Sequence, residues 1–185
     1  MREMIMAAAI KEINKHGLRF TMNDIAAQLH VSKRSLYENF PSKGALIEAV
    51  TDKTLRWVFA REKEIFQSQA EPAEKIRLLL TLRPYEMEVF QRHVLEDLRV
   101  MFPEQWRKVE QGRRQRGAYI EALLREGMAA GVFAKVNVKM AGALLQSALE
   151  KFSAEEFLAR NSLSHEKAME QAFDLLLHGI AAHQG

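Results

Sequence analysis

Lys33, Arg34, Ser35 and Tyr37 stand within a single run of the chain, Ser32–Asn39, and together they could read a nucleic acid. An arginine guanidinium can bridge O6 and N7 of a guanine through two parallel N–H bonds. Lysine, serine and tyrosine can reach phosphates or other base edges. On a helix with Lys33 as origin, steps of about 100° put Tyr37 near 40° and Arg34 near 100°. These three side chains then share an outward face, while Leu36 points to the opposite side. On spacing alone, the plainer alternative is a solvated helix carrying ordinary surface charges.

Such residues need elements to hold them. In Arg2–His16, Ile5, Ala8, Ala9 and Ile13 recur at helical spacing, and Gly17 supplies a C-terminal stop. Thr21 can cap a second helix, Met22–Leu29, with Asp24 in the position of a short-armed capping box. After His30 and Val31, Ser32 can cap a third helix that runs to about Asn39, and Pro41 disfavours helical geometry at Phe40. Two short helices joined by a tight turn make a helix-turn-helix pattern. The starts of helix two, at Thr21, and helix four, at Ser42 and Lys43, also offer backbone N–H groups to phosphate.

The rest of the chain also reads as helical. Helix four continues to about Phe66, helix five starts at Pro72 and is closed by Pro84, and Tyr85–Phe102 forms helix six. Helix seven spans Glu104–Ala130, Asn137 caps an eighth to about Arg160, and Ser164 caps a ninth to about His183. The expected fold is all-α with about nine helices. Residues 1–45 would form the helix-turn-helix domain and residues 46–185 a helical body.

Charge supports this division. The chain has 185 residues and a formal net charge of +3. The first 45 residues hold seven Lys or Arg against four acids, so the remainder balances to zero. An excess of positive charge at one end is what a polyanionic partner selects. With 9 Gly and 4 Pro the chain has too few turn formers for a many-stranded sandwich or barrel. With no Cys there is no disulfide framework, no thiolate nucleophile and no cysteine-ligated zinc. The longest stretch free of Asp, Glu, Lys and Arg is Leu175–Gly185, shorter than the roughly 18 residues a membrane span needs. No signal peptide is visible either, so a cytoplasmic protein is expected. HExxH, a Gly-rich phosphate loop and G-x-S-x-G are all missing, which argues against an enzyme. No cofactor is implied.

The run Ile5, Ala8, Gly17, Phe20-Thr21, Asp24-Ile25-Ala26, Leu29, Val31-Ser32, Leu36-Tyr37, Phe40, Ser42-Lys43 and Leu46 resembles the N-terminal domain of the TetR/AcrR family of transcriptional regulators. The Glu126-Gly127 and Gly131-Val132-Phe133 segments are similar to the family's usual end of helix seven. The resemblance implies a homodimeric, ligand-responsive repressor whose partners are double-stranded DNA with a palindromic operator, a second copy of itself and a small-molecule effector, with no membrane. It assigns base and phosphate contacts to Lys33, Arg34, Ser35 and Tyr37, and phosphate contacts to Thr21 and Lys43, with Ser32 and Asn39 as further carry-overs. His30 departs from the pattern, standing where the family usually has Gly. Arg34 replaces a frequently small residue, Asn39 stands where His is common, and no basic arm precedes helix one. A helical adaptor that uses the basic module to bind protein is the alternative reading, and a catalytic helical domain ranks behind it.

Within the body, Leu144, Leu145, Ala148 and Phe152, then Phe173, Leu176, Leu177 and Ile180, form two apolar faces. The resemblance makes them the dimer interface, and core packing could employ the same stripes. Trp57, Phe66, Met87, Phe90, His93, Met101, Trp106 and Tyr119 are the candidate lining of a pocket for a hydrophobic or aromatic effector, although Met and aromatics also fill cores. His93 with Glu96 and Asp97 has a spacing a metal could use, but a surface histidine beside helical carboxylates is the simpler reading, and no metal site is expected. The Arg113-Arg114-Gln115-Arg116 run reads as a solvated face, with an acidic effector as its less favoured use.

Overall fold

A computed structural model of the chain describes residues 1–83, 92–152 and 155–180. Among them are ten α-helices and no strand, which bears out the all-α expectation. The helices are α1 (Arg2–His16), α2 (Met22–Leu29), α3 (Lys33–Asn39), α4 (Lys43–Gln67), α5 (Pro72–Thr81), α6 (Arg92–Met101), α7 (Pro103–Ala129), α8 (Val138–Phe152), α9 (Glu155–Arg160) and α10 (His165–Ile180). A 3-10 turn, Gly17–Arg19, separates α1 from α2. The described residues of the expected eighth helix fall in two segments, α8 and α9. At the end of α8 the Phe152 carbonyl accepts from His165 Nδ1 at 3.1 Å, a partner that lies outside the helix. No described helix is long and apolar enough to cross a membrane.

Local chemistry explains the boundaries. The Thr21 hydroxyl accepts from the Asp24 N–H while the Asp24 carboxylate accepts from the Thr21 N–H, a complete capping box at the start of α2. Ser32, Asn137 and Ser164 cap α3, α8 and α10 by accepting first-turn N–H bonds at 3.0–3.2 Å. Between α2 and α3 the chain closes with His30 in the left-handed conformation, φ 52° and ψ 38°. There the Val31 N–H donates to the Ala26 carbonyl and the His30 N–H to Ala27, the two bonds of a Schellman closure.

The chain divides into two compact units, each with its own core. The first comprises Met1–Val58 and Arg83–Glu110, the second Phe59–Leu82 and Gln111–Gly185. In the first, Ile5, Ala9 and Ile13 of α1, Ile25 of α2, Leu36 of α3 and Leu46 and Ile47 of α4 are buried together with Val94 and Leu98 of α6. In the second, Ile76, Leu79 and Leu80 of α5 meet Ile120, Leu123 and Leu124 of α7 and Leu145 and Met169 of α8 and α10.

Within the second unit α4 and α7 run in the same direction. Phe59 lies over Gly112, where any Cβ would come within 2.4 Å of its ring. Glu62 meets Arg116, with Nε donating to Oε1 at 2.5 Å, and Phe66 stacks on Tyr119 at 4.3 Å between ring centroids. Arg116 therefore does not stand on a solvated face: it is the partner of a carboxylate whose side chain is only 1% exposed. The second oxygen of Glu62 is buried without a hydrogen-bond partner. Burial raises the Glu62 pKa above the ordinary carboxylate value, and the attraction and hydrogen bond of Arg116 only partly offset it.

This arrangement has a testable pH dependence. A raised carboxyl pKa means the folded chain holds the proton to higher pH than the unfolded chain does. Glu62 therefore favours folding at low pH, and its contribution declines as pH rises from the ordinary carboxylate value through the raised one. Relative to Glu62→Gln, the unaltered protein should lose stability across that window. Chemical denaturation between about pH 4 and about pH 8 reads the difference directly. A difference independent of pH would contradict a buried acid at this position.

Candidate nucleic-acid interface

α3 has only seven residues, and its orientation is set by one side chain. Leu36 is fully buried in the first core, so the opposite face of the helix must point outward. Lys33, Arg34 and Tyr37 are exposed on it, and Ser35 is half-buried. The Ser32 hydroxyl oxygen is occupied by the Ser35 N–H at 3.1 Å, which leaves its own O–H to donate elsewhere. The helix thus has a buried leucine behind and three cation or phenol side chains in front, as helical period predicts.

Arg34 is not a free guanidinium. Its Nε donates to Oε1 of Glu38 one turn on, at 3.0 Å, and both side chains are largely exposed. Sequence reasoning missed Glu38, although the i, i+4 spacing carried the signal. Asn39 turns its amide inward and donates to the Ser35 carbonyl at 2.9 Å.

The flanking helix starts are held as well. Both the N–H and the hydroxyl of Thr21 donate to the Asp24 carboxylate, at 2.7 and 2.8 Å. These bonds hold the Asp24 pKa below the usual value, the backbone one contributing most, with His16 and Lys43 adding attraction. Lys43 is half-buried. Its ammonium donates to the Leu18 carbonyl and sits 4.7 Å from the centre of the Phe20 ring. Burial lowers its pKa from the ordinary lysine value, and Asp97 and Asp24 act in the opposite sense.

α6 also belongs to this unit. Asp97 accepts from the Leu18 N–H at 3.4 Å, and a Cβ on Gly17 would lie 3.2 Å from both Asp97 Oδ2 and the His93 ring. His93 is exposed, and no cluster of three or more potential metal ligands occurs among the described residues.

Residues 5–50 match the bacterial regulatory proteins of the tetR family. This segment is an N-terminal domain of the TetR family. The chain is 26% identical to the uncharacterized HTH-type transcriptional regulator YvaF of Bacillus subtilis, over all of this chain and 97% of that one. It is 27% identical to the HTH-type transcriptional repressor KstR2 of Mycolicibacterium smegmatis, over all of this chain and 92% of that protein. Among solved structures, the TetR-family regulator PfmR of Thermus thermophilus superposes with a TM-score of 0.75 at 25% identity, over 94% of this chain and 97% of that one.

The candidate pocket and interface residues are divided between the two units. Phe66 and Tyr119 stack on each other in the second unit. Trp57, His93, Met101 and Trp106 belong to the first, where Trp57 and Met101 are exposed and Trp106 packs on the core. Met87 and Phe90 lie outside the described residues, as does the side chain of Ile180. Leu145 and Phe173 are buried in the second core, with Phe152, Leu176 and Leu177 packed against it. Leu144 is 58% exposed, at the rim of an open apolar groove of about 470 Å³ between α8, α9 and α10. Ala148, Phe152 and Leu176 also line that groove. So does Leu175, 78% exposed, which sequence reasoning missed although it opens the charge-free run at the end of the chain.

Two backbone positions in the first unit, the head, should respond to substitution with opposite signs. Gly17, at φ 62° and against α6, should lose about 1–3 kcal/mol of stability when changed to Ala. His30, left-handed with a side chain that gains nothing from that geometry, should gain up to about 1 kcal/mol as His30→Gly. Urea midpoints measure both, and equal signs would refute the assignment.

Proposed function

We propose that this chain is a ligand-responsive repressor that binds a palindromic operator as a homodimer in the cytoplasm and is released by a small hydrophobic or aromatic effector. The observation that carries the DNA half is the anchoring of α3: Leu36 is buried, while Lys33, Arg34 and Tyr37 are exposed on a helix capped at Ser32. Arg34 is the base reader, Lys33, Ser35 and Tyr37 make base or phosphate contacts, and Ser32 donates to phosphate. Thr21 must release a bond to Asp24 before donating to DNA, and Asn39 and Lys43 are each turned toward an internal carbonyl, which makes the three lesser contributors.

The groove between α8, α9 and α10, with Leu144 and Leu175 exposed at its edge, supports self-association. A symmetric pair presents two reading helices to half-sites about 34–36 Å apart, hence a palindrome. The name borne by KstR2 supports repression. The Phe66–Tyr119 stack near the far end of α4 supports an aromatic or apolar effector there. α4 starts at Lys43 and continues unbroken to Gln67, so a ligand that displaces its far end acts on the segment that carries Lys43.

Duplexes selected from a random-sequence pool by the unaltered protein provide the test. Arg34→Ala should weaken binding to them by about 1–3 kcal/mol and relax selection at one base of each half-site. Unchanged selection would remove Arg34 as a reader, and failure to select any sequence would leave the adaptor reading. Leu144→Glu should shift sedimentation from dimer to monomer and cost about a hundredfold or more in affinity for the same duplex. A variant that stays dimeric would move the interface elsewhere.

A further inference from the structure

A two-turn helix is marginal alone, so both of its ends need partners. Ser32 closes the start of α3. At its end, Pro41 forces Phe40 into an extended conformation, φ −137° and ψ 106°, and the helix cannot continue. The last carbonyls then need donors. The Phe40 N–H serves Leu36 at 3.0 Å and the Asn39 amide serves Ser35, and the carbonyl of Asn39 itself is among those still in need of a donor.

That carbonyl is met from outside the helix-turn-helix. Arg2, at the start of α1, donates from Nη1 to the Asn39 carbonyl at 2.6 Å. The same guanidinium lies 4.0 Å from the centre of the Phe40 ring, a residue with no exposed surface. One cation thus satisfies an orphan acceptor, sits at the negative end of the helix dipole and covers an aromatic face. The neighbouring Glu3 does not compete for it, because Glu3 pairs with Lys53 of α4. That second pair fixes the start of α1 to α4.

We propose that Arg2 is a positioning residue for DNA recognition: it fixes the C-terminal end of α3 and, through it, the direction of Lys33, Arg34 and Tyr37, without itself touching DNA. The proposal rests on α3 being the reading helix. It gives a specific task to a cation that the charge pattern alone assigns only to a general positive field.

The test compares Arg2→Ala, Arg2→Lys and the unaltered protein on a duplex the latter selects, by fluorescence anisotropy over a range of salt. Arg2→Ala should weaken binding about tenfold. The slope of log K against log salt should stay the same, since no phosphate contact is lost. Arg2→Lys, which keeps a cation for the ring and carbonyl, should recover most of the affinity. Hydrogen exchange at the Phe40 amide should quicken in Arg2→Ala while amides of the α1 and α4 core do not. A fall in slope of about 0.9 would make Arg2 a phosphate contact and overturn the proposal. So would unchanged affinity, or exchange that quickens uniformly across the head. If the unaltered protein selected no sequence, the reading of α3 would fail, whereas the exchange measurement would still decide whether Arg2 holds the end of α3.

Discussion

The burial of Leu36 is the constraint from which the rest of the head follows. A seven-residue helix has too few internal hydrogen bonds to hold a direction, so its one apolar anchor must. With Leu36 in the core, the exposed face is determined to within one helical position, and the caps at Ser32 and Asn39 become necessary rather than decorative. The left-handed turn at His30 follows from the same demand. α2 must stop and the chain reverse within two residues for Leu36 to reach Ile25 and Ala26, and that geometry is imposed on a residue other than glycine.

The Leu18 peptide shows that the head is more than its three helices. Its N–H is engaged by Asp97 of α6 and its carbonyl by Lys43, the first residue of α4. The approach of α6 is possible because Gly17 carries no Cβ there. Any movement of α6 against this turn must break the long Asp97 bond or carry the turn with it, and Lys43 is tied to the turn. Lys43 and Arg2 are also alike in construction: each places its cation on a backbone carbonyl and an aromatic ring, Phe20 and Phe40 respectively. With Arg34 on Glu38, three of the seven basic residues in the first 45 are therefore engaged by the protein itself. The local positive excess overstates the charge standing free on the surface.

Much of this was legible beforehand because the signals were local. Capping boxes, glycine stops and the pre-proline break depend on residues two to four apart, and they placed α1, α2 and α3 with the bounds observed. The inward direction of Leu36 followed from helical period alone. What could not be read were pairings across long separations. Nothing in the spacing of Arg2 and Asn39, Leu18 and Asp97, or Glu62 and Arg116 distinguishes them from surface charges, because the contact exists only once other helices have packed. The arginine run at 113–116 misled for that reason: its last member faces a buried acid.

The Glu62–Arg116 pair also bears on how α4 can respond to a force. Phe59 over Gly112, Glu62 on Arg116 and Phe66 on Tyr119 form a ladder with a fixed register between two helices. A small slide would leave a desolvated carboxylate without its cation, which costs far more than a misplaced apolar contact. A slide that restored some pairing would have to cover about a helical turn, and the Phe59 ring would then need another gap to replace the one at Gly112. In the second unit α4 and α7 are thus confined to discrete settings rather than a continuum.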